Sequence, residues 1–278
     1  MWLLKIVIVF GLAFYSVHSS WKDHEESVGF QKKLLTPDKE SGLIFLHGLG
    51  VSLTAICKTV SGPALGLSVR KNKISCPEAP IQHNDMVTKI FPGMTGARSW
   101  FNFWNLPGIS VINSNPSESK EDLEEALVWV EEEIKKMNQE GIPYENIVLV
   151  GVSQGGALTL YTTTHTQYKL GGFIAIITWL PLLNFEPPDS LPTPVNKDTP
   201  ILHMNGNMDV LVPPAAGRAS ATAMQQVFTN YQLKNVMGNH LTIAINPLHK
   251  PTVYCWLKKN VPNMAFSTQS HLRWLNCY

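Results

Sequence analysis

The sequence predicts a single α/β domain in which a mostly parallel central sheet is flanked by helices. Three observations carry this. Short apolar, β-branched runs such as residues 147–150 and 172–178 have the composition of strands covered on both faces. Residues 119–137 place Leu123, Ala126, Leu127, Val130, Ile134 and Met137 at i+3/i+4 spacing, the signature of a helix with one apolar stripe. Strand and helix patterns then alternate along the chain with no internal repeat, which implies crossover connections and parallel pairing. With 278 residues and 44% hydrophobic content the chain can bury a substantial core. A net charge of +1, from 22 basic and 21 acidic residues, gives no electrostatic reason to expect nucleic acid or an anionic membrane as partner.

The first 20 residues differ in kind from the rest. Lys5 precedes an apolar run over residues 6–15, and Val17 and Ser19 supply small residues before a cut after Ser19. This is the pattern of a signal peptide over residues 1–19, leaving residues 20–278 as the mature domain. The run is too short for an ordinary membrane span, and no later stretch is long and apolar enough, so no integral membrane segment is expected in the mature chain. An uncleaved anchor and a buried first strand are the competing readings. The expected location is the secretory lumen or the outside of the cell, with the cytoplasm as the alternative. Four cysteines, Cys57, Cys76, Cys255 and Cys277, allow two disulfides in three connectivities, although Cys76 reads equally well as a buried free thiol at a strand end. No C-x-x-C pair or H-E-x-x-H motif calls for zinc.

In chain order, residues 21–40 are polar and mixed. Residues 42–46 form a clear strand ending in His47-Gly48-Leu49-Gly50. A second strand over residues 74–76 ends at Pro77-Glu78-Ala79-Pro80. The aromatic cluster Trp100, Phe101, Phe103 and Trp104 either lines an apolar pocket, with Trp100 facing substrate, or packs in the core. The helix over residues 119–137 opens on Ser119 and Asp122, which resemble a capping box, and is stopped by Gly141 and Pro143. Its acidic run is a solvated face. Strand 147–150 leads through a turn to a helix over residues 157–166. A strand over 172–178, a proline-rich loop over 187–194 and a strand over 200–205 follow. Residues 217–231 read as helix, residues 236–238 as the end of a short strand, and residues 252–259 as a last helix.

Chemistry concentrates at Gly151-Val152-Ser153-Gln154-Gly155, a G-x-S-x-G motif set between a strand and a helix. A serine at the tip of a sharp turn needs neighbours without side chains, so that the backbone can fold tightly and a carbonyl can approach. The helix that follows aims free N–H groups at the place where negative charge develops. The competing reading is an ordinary glycine-rich turn. A serine nucleophile needs a histidine to take its proton and a carboxylate to hold that histidine's tautomer. With the order serine, acid, histidine, Asp209 is the favoured acid, because it follows a strand directly in a glycine-bearing turn. Asp189 and Asp198 lie in or beside the proline-rich loop and read as solvated. His240 is the favoured base and His249 the second choice, while His203, inside a strand, reads as core and His47 as a structural loop histidine.

These residues resemble the acyl-protein thioesterase/lysophospholipase-like carboxylesterases of the α/β-hydrolase fold. The matching segments include Phe45-Leu46-His47-Gly48-Leu49-Gly50, Cys76-Pro77-Glu78-Ala79-Pro80, Ser99-Trp100-Phe101, Gly151 to Leu158, Trp179-Leu180-Pro181-Leu182, Gly206-Asn207-Met208-Asp209, Leu211-Val212-Pro213 and His240. The resemblance implies Ser153 as nucleophile, Asp209 as orienting acid and His240 as base. It implies oxyanion donors at the backbone N–H groups of Leu49 and Gln154, and an apolar acyl channel with Trp179 near it. The implied substrate is an acyl ester or thioester, such as an S-acylated protein or a lysophospholipid, cleaved without metal or organic cofactor.

The chain departs from the family pattern in three ways. Val51-Ser52-Leu53 stands where the family usually continues with Asp and a nearby Gly. Asn246-Pro247 and Pro251 interrupt the usual last helix. The family is typically cytosolic, whereas this chain carries the expected signal peptide. A catalytically impaired hydrolase-fold protein that binds a lipid or a protein partner is therefore the alternative function.

Overall fold

The computed structural model describes residues 41–51, 65–94, 96–105, 117–245, 250–268 and 276–277. The expected signal peptide, the polar segment after it, Cys57, Ser52, Leu53 and His249 lie outside the described residues.

Six strands form the central sheet: β1 (Ser41–Leu46), β2 (Asn72–Ser75), β5 (Ile147–Val152), β6 (Gly172–Ile176), β7 (Ile201–Gly206) and β8 (Tyr231–Val236). Their spatial order is β2-β1-β5-β6-β7-β8 and every neighbouring pair is parallel. Two short strands, β3 (Ile81–Gln82) and β4 (Ala97–Arg98), pair antiparallel beside it. Among the described residues six helices accompany the sheet: α1 (Asp85–Ile90), α2 (Lys120–Gln139), α3 (Gln154–His165), α4 (Pro214–Val227), α5 (His240–Ile245) and α6 (Lys250–Asn260).

Strand periodicity divides the core in two. Ile44, Leu46, Ile147, Leu149, Phe173, Ala175 and Ile201 face one side, against Leu123, Ala126, Val130, Ile134 and Met137 of α2 and the apolar residues of α3 and α4. Leu43, Phe45, Val148, Val150, Ile174, Leu202 and Met204 face the other, against Val253, Trp256 and Leu257 of α6. Side chains on a strand alternate in direction, so a run that is apolar throughout must be covered on both faces. Each fully buried Leu, Ile or Val contributes roughly 1.5–3 kcal/mol, and this double layer supplies most of the folding energy.

The helix ends follow local chemistry. Ser119 caps α2 by accepting from the Asp122 N–H at 3.2 Å. Asp122 does not complete the reciprocal half of the box; its carboxylate accepts from the Asn102 N–H at 2.7 Å and ties the aromatic segment to the helix. Gly141, at φ 93°, ends the helix in the left-handed conformation a C-terminal cap requires.

Three expectations are corrected. The helix expected over residues 217–231 runs instead over Pro214–Val227, and Tyr231 opens β8. Proline at the first helical position moves the start forward, and Asn230, whose carbonyl accepts from Ile201 N, joins the sheet. The strand expected over residues 172–178 ends at Ile176, because Ile177 turns out of the ladder at φ 48°. Cys76 is not a free thiol: it is disulfide-bonded, and Cys255 of α6 is bonded to Cys277.

Two features of the fold bear on stability. The Cys255–Cys277 bond spans a sequence separation of 22. Replacing both cysteines by serine should lower unfolding free energy by about 3 kcal/mol, the chain-entropy value for a loop of that size. An unchanged denaturant midpoint would show that the cross-link constrains nothing. His203 lies fully buried in β7, and loss of hydration pushes its pKa down to about 4. The unfolded histidine takes its proton near 6.5, so stability is complete above that pH and is lost progressively as pH falls toward about 4. His203→Gln should flatten this slope between pH 7 and 4.5 in denaturant titrations. Identical slopes in both proteins would contradict the assignment.

Candidate active site

The sheet order places the site. The chain leaves β1 toward β2 on one side and returns to β5 on the other, so the loops after β1 and β5 diverge above adjacent carboxyl ends. Ser153 sits there, between β5 and α3, at φ 55° and ψ −118°. A serine in this region costs of order 1–3 kcal/mol and persists only where its surroundings over-determine it. Its N–H donates to the Ile176 carbonyl at 2.9 Å, and its carbonyl accepts from the Thr178 hydroxyl at 2.7 Å. A Cβ on Gly151 would overlap the Gly155 carbonyl, and one on Gly155 would overlap the carbonyls of Leu46 and His47. The glycines of the motif are thus required by backbone contact.

The sequence-favoured acid and base converge on this serine. His240 Nε2 lies 2.9 Å from Ser153 Oγ, and His240 Nδ1 lies 2.7 Å from Asp209 Oδ2. The Asp209 side chain is fully buried, and its other oxygen accepts from the N–H groups of Leu211 and Val212, each at 2.9 Å. Those bonds fix the carboxylate's orientation and leave Oδ2 for the imidazole. His240 is the first residue of α5. Its loop is stitched to the Asp209 loop: Gly238 N–H donates to Asn207 Oδ1 at 3.1 Å, and Met208 N–H to the Gly238 carbonyl at 3.0 Å. Asp198, by contrast, is exposed and accepts from the Thr229 hydroxyl at 2.9 Å, away from the serine.

The loop after β1 closes the other side. His47 is a structural residue: Nε2 accepts from the Ala79 N–H at 3.0 Å, so the ring proton sits on Nδ1, 2.8 Å from the Gly48 carbonyl. Burial lowers its pKa and keeps the ring neutral. Gly50 N–H donates to the Arg98 carbonyl at 2.8 Å. The Leu49 N–H has no acceptor among the described residues, and its side chain packs against the core. Gln154 opens α3, so its N–H precedes the first intrahelical bond, which runs from Ala157 to Ser153. Its side chain is spent elsewhere, accepting from Trp100 N–H at 3.1 Å and donating to Ser99 Oγ at 3.0 Å and the Phe101 carbonyl at 2.7 Å.

Both tryptophans singled out from the sequence are core residues with structural partners. Trp100 is 2% exposed, and its indole N–H donates to the His47 carbonyl at 2.8 Å. Core packing, the competing reading for the aromatic segment, describes it. Trp179 is 5% exposed, and its indole N–H donates to Glu118 Oε1 at 2.8 Å. Glu118 carries no sequence signal of its own, since one glutamate in a polar stretch resembles any other. Burial raises its pKa, and it joins the Trp179 segment to the start of α2. Among the described residues no group of three or more His, Cys, Asp or Glu side chains is placed to hold a metal ion.

An arrangement of this kind can pass a hydroxyl proton to an imidazole whose tautomer is fixed by a buried carboxylate. The comparisons with known proteins agree with the fold that carries it. Residues 36–246 match the Phospholipase/Carboxylesterase family. Acyl-protein thioesterase 1 homolog 1 of Dictyostelium discoideum is 32% identical over 77% of this chain and 84% of its own. Acyl-protein thioesterase 1 of Kluyveromyces lactis is 30% identical over 73% of this chain and 84% of its own. The crystal structure of Arabidopsis thaliana SOBER1 superposes with a TM-score of 0.68 at 26% identity, covering 80% of this chain and 99% of that one. The chain thus belongs to the phospholipase/carboxylesterase family of hydrolases and has the α/β-hydrolase fold.

Proposed function

We propose that the protein hydrolyses acyl esters or thioesters through an acyl-enzyme on Ser153. The observation that carries this reading is the pair of short hydrogen bonds joining Ser153, His240 and Asp209, at 2.9 and 2.7 Å. His240 Nε2 takes the Ser153 proton as Oγ attacks the acyl carbonyl, and Asp209 stabilises the imidazolium that forms. The tetrahedral oxyanion is received by the N–H groups of Leu49 and Gln154. Collapse expels the thiol or alcohol, which leaves with the proton from Nε2. Water, deprotonated by the same nitrogen, then cleaves the acyl-enzyme and frees Ser153. The thioesterase relatives support thioesters as the substrate bond.

A fluorophosphonate probe needs an activated serine and working oxyanion donors, so it tests the whole site at once. It should label the wild type once, at Ser153, and Ser153→Ala should abolish both labelling and turnover. His240→Ala should fail nearly as badly. Asp209→Asn should lower kcat by about 10⁴-fold, the size seen when the wrong tautomer is held in a serine protease. A folded wild type that neither labels nor hydrolyses any ester would replace this reading with that of a binding protein.

The same site is proposed to work in the secretory pathway. The bonded Cys255, Cys277 and Cys76 support this, because disulfides persist in oxidising compartments and are rare in the cytosol. Protein expressed in a eukaryotic secretion host should begin near Ser20 or Trp21 on N-terminal sequencing. A cytosolic product retaining Met1 would sink the secretory reading.

A further inference from the structure

Behind the elbow lies a buried polar chain for which the proposed reaction has no use. Tyr231, at the start of β8, donates its hydroxyl proton to His203 Nδ1 across 2.5 Å. His203 Nε2–H donates to the Thr178 carbonyl at 3.2 Å. The Thr178 hydroxyl donates to the Ser153 carbonyl at 2.7 Å. Residues in the series come from β8, from β7, from the turn after β6 and from the elbow after β5. We propose that His203 and Tyr231 are a positioning pair that holds Ser153 in its reactive conformation through Thr178. The inference rests on the triad reading above and adds two residues that touch neither substrate nor triad.

Two non-glycine residues with positive φ, Ser153 at 55° and Ile177 at 48°, stand side by side where β5 and β6 end. A left-handed β-branched residue is a true outlier and needs external restraint. Ile177 N–H is bound by the Met204 carbonyl at 2.6 Å, and the next carbonyl, that of Thr178, by His203. Both restraints come from β7. Thr178 then passes the constraint across to Ser153 through its hydroxyl, while a Cβ on Gly156 would stand only 2.8 Å from Thr178 Cβ. Releasing the Thr178 carbonyl would let the turn after β6 relax, and Ser153 Oγ would drift from His240.

His203 suits this task because of its two ring nitrogens. It is 0% exposed, and a buried polar group is costly unless paired. Donation from Nε2 to a carbonyl fixes one tautomer, and Nδ1 must then be an acceptor. The Tyr231 hydroxyl, itself buried, supplies the proton that Nδ1 needs. An apolar residue at position 203 would satisfy the core but leave the Thr178 carbonyl unbound, as no other donor reaches it among the described residues.

Three variants test the pair, each compared with wild type per folded molecule by fluorophosphonate labelling rate and by kcat and KM on a short ester. His203→Leu keeps the volume and removes the donor. It should slow labelling and kcat about tenfold, the rate equivalent of one lost hydrogen bond, with KM within about twofold. His203→Gln keeps an N–H for Thr178 and an oxygen for Tyr231, and should stay within about threefold of wild type. Thr178→Val removes only the last link and should slow labelling to a similar degree. The double variant of His203→Leu with Thr178→Val should be no slower than either alone, since both act on one path. If His203→Leu fails to fold, Thr178→Val and His203→Gln still decide. A Val variant as fast as wild type, or a Gln variant as slow as Thr178→Val, overturns the inference. Lower melting temperature with unchanged kcat would reduce the pair to core packing and overturn it too. A wild type that is never labelled would overturn the triad and this inference together, whereas a labelled wild type with equally fast variants would overturn the inference alone.

Discussion

Contact between the Gly155 backbone and the carbonyls of Leu46 and His47 is the constraint on which this site depends. It brings the start of α3 against the end of β1 with no room for a side chain. The consequence is chemical as well as steric. The N-terminus of a helix, with its unsatisfied N–H groups, is set beside a loop whose Leu49 N–H has no acceptor among the described residues. Under the proposed reaction, these two donors from separate parts of the chain are the ones that receive the developing oxyanion. A larger residue at 155 would separate them before it disturbed any side chain of the proposed triad.

The energetic logic runs from the core outward. Two apolar layers clamp six parallel strands, so the strand ends are positioned by burial that single loop changes do not remove. Against that platform the protein holds strained conformations at Ser153 and Ile177. Each strained residue is bound at a backbone group by the neighbouring strand or by a residue just beyond its end: Ser153 by Ile176 and Thr178, Ile177 by Met204. At these two residues the strain sits where the sheet is well able to restrain it, at the carboxyl ends of central strands, whereas Leu182, at φ 54°, lies in the loop beyond.

How much of this was legible in the sequence depends on the kind of interaction. Period-two and period-3.6 patterns report burial, so β1, β5, β7 and α2 were readable from Leu43, Val148, Leu202 and Val130 and their neighbours. The order serine, acid, histidine and the placement of Asp209 and His240 after strands were readable because topology fixes where carboxyl ends gather. The roles of Trp100 and Trp179 were not. An indole has the same apolar bulk in a channel wall and in a core, and only the carbonyl of His47 and the carboxylate of Glu118 tell them apart. Cys76 was ambiguous for a related reason, since a thiol and a half-cystine look alike in a sequence. Tyr231 was misread as helical because pattern cannot see the Ile201 partner across the sheet.

In the loop after β1, Val51 stands where the family pattern leads to Asp. The bonds that hold the loop come from elsewhere. Arg98 binds Gly50, Trp100 binds the His47 carbonyl, and Ala79 binds the His47 ring. Arg98 is itself held by Glu78 at 2.8 Å and by the Ala79 carbonyl at 3.1 Å. Trp100 in turn is fixed through its N–H by Gln154, the residue that opens α3. The loop and the helix N-terminus are thus referenced to the same segment, residues 98–101, and move together if that segment moves. Among the described residues the hydrogen bond that Val51 makes is through its own N–H, which closes a turn on the Gly48 carbonyl at 3.3 Å, a bond any residue but proline can make. Geometry at Leu49 therefore depends on Trp100 and Gln154 more than on the side chain at 51. Gln154 cannot be exchanged for alanine without releasing three hydrogen bonds at once.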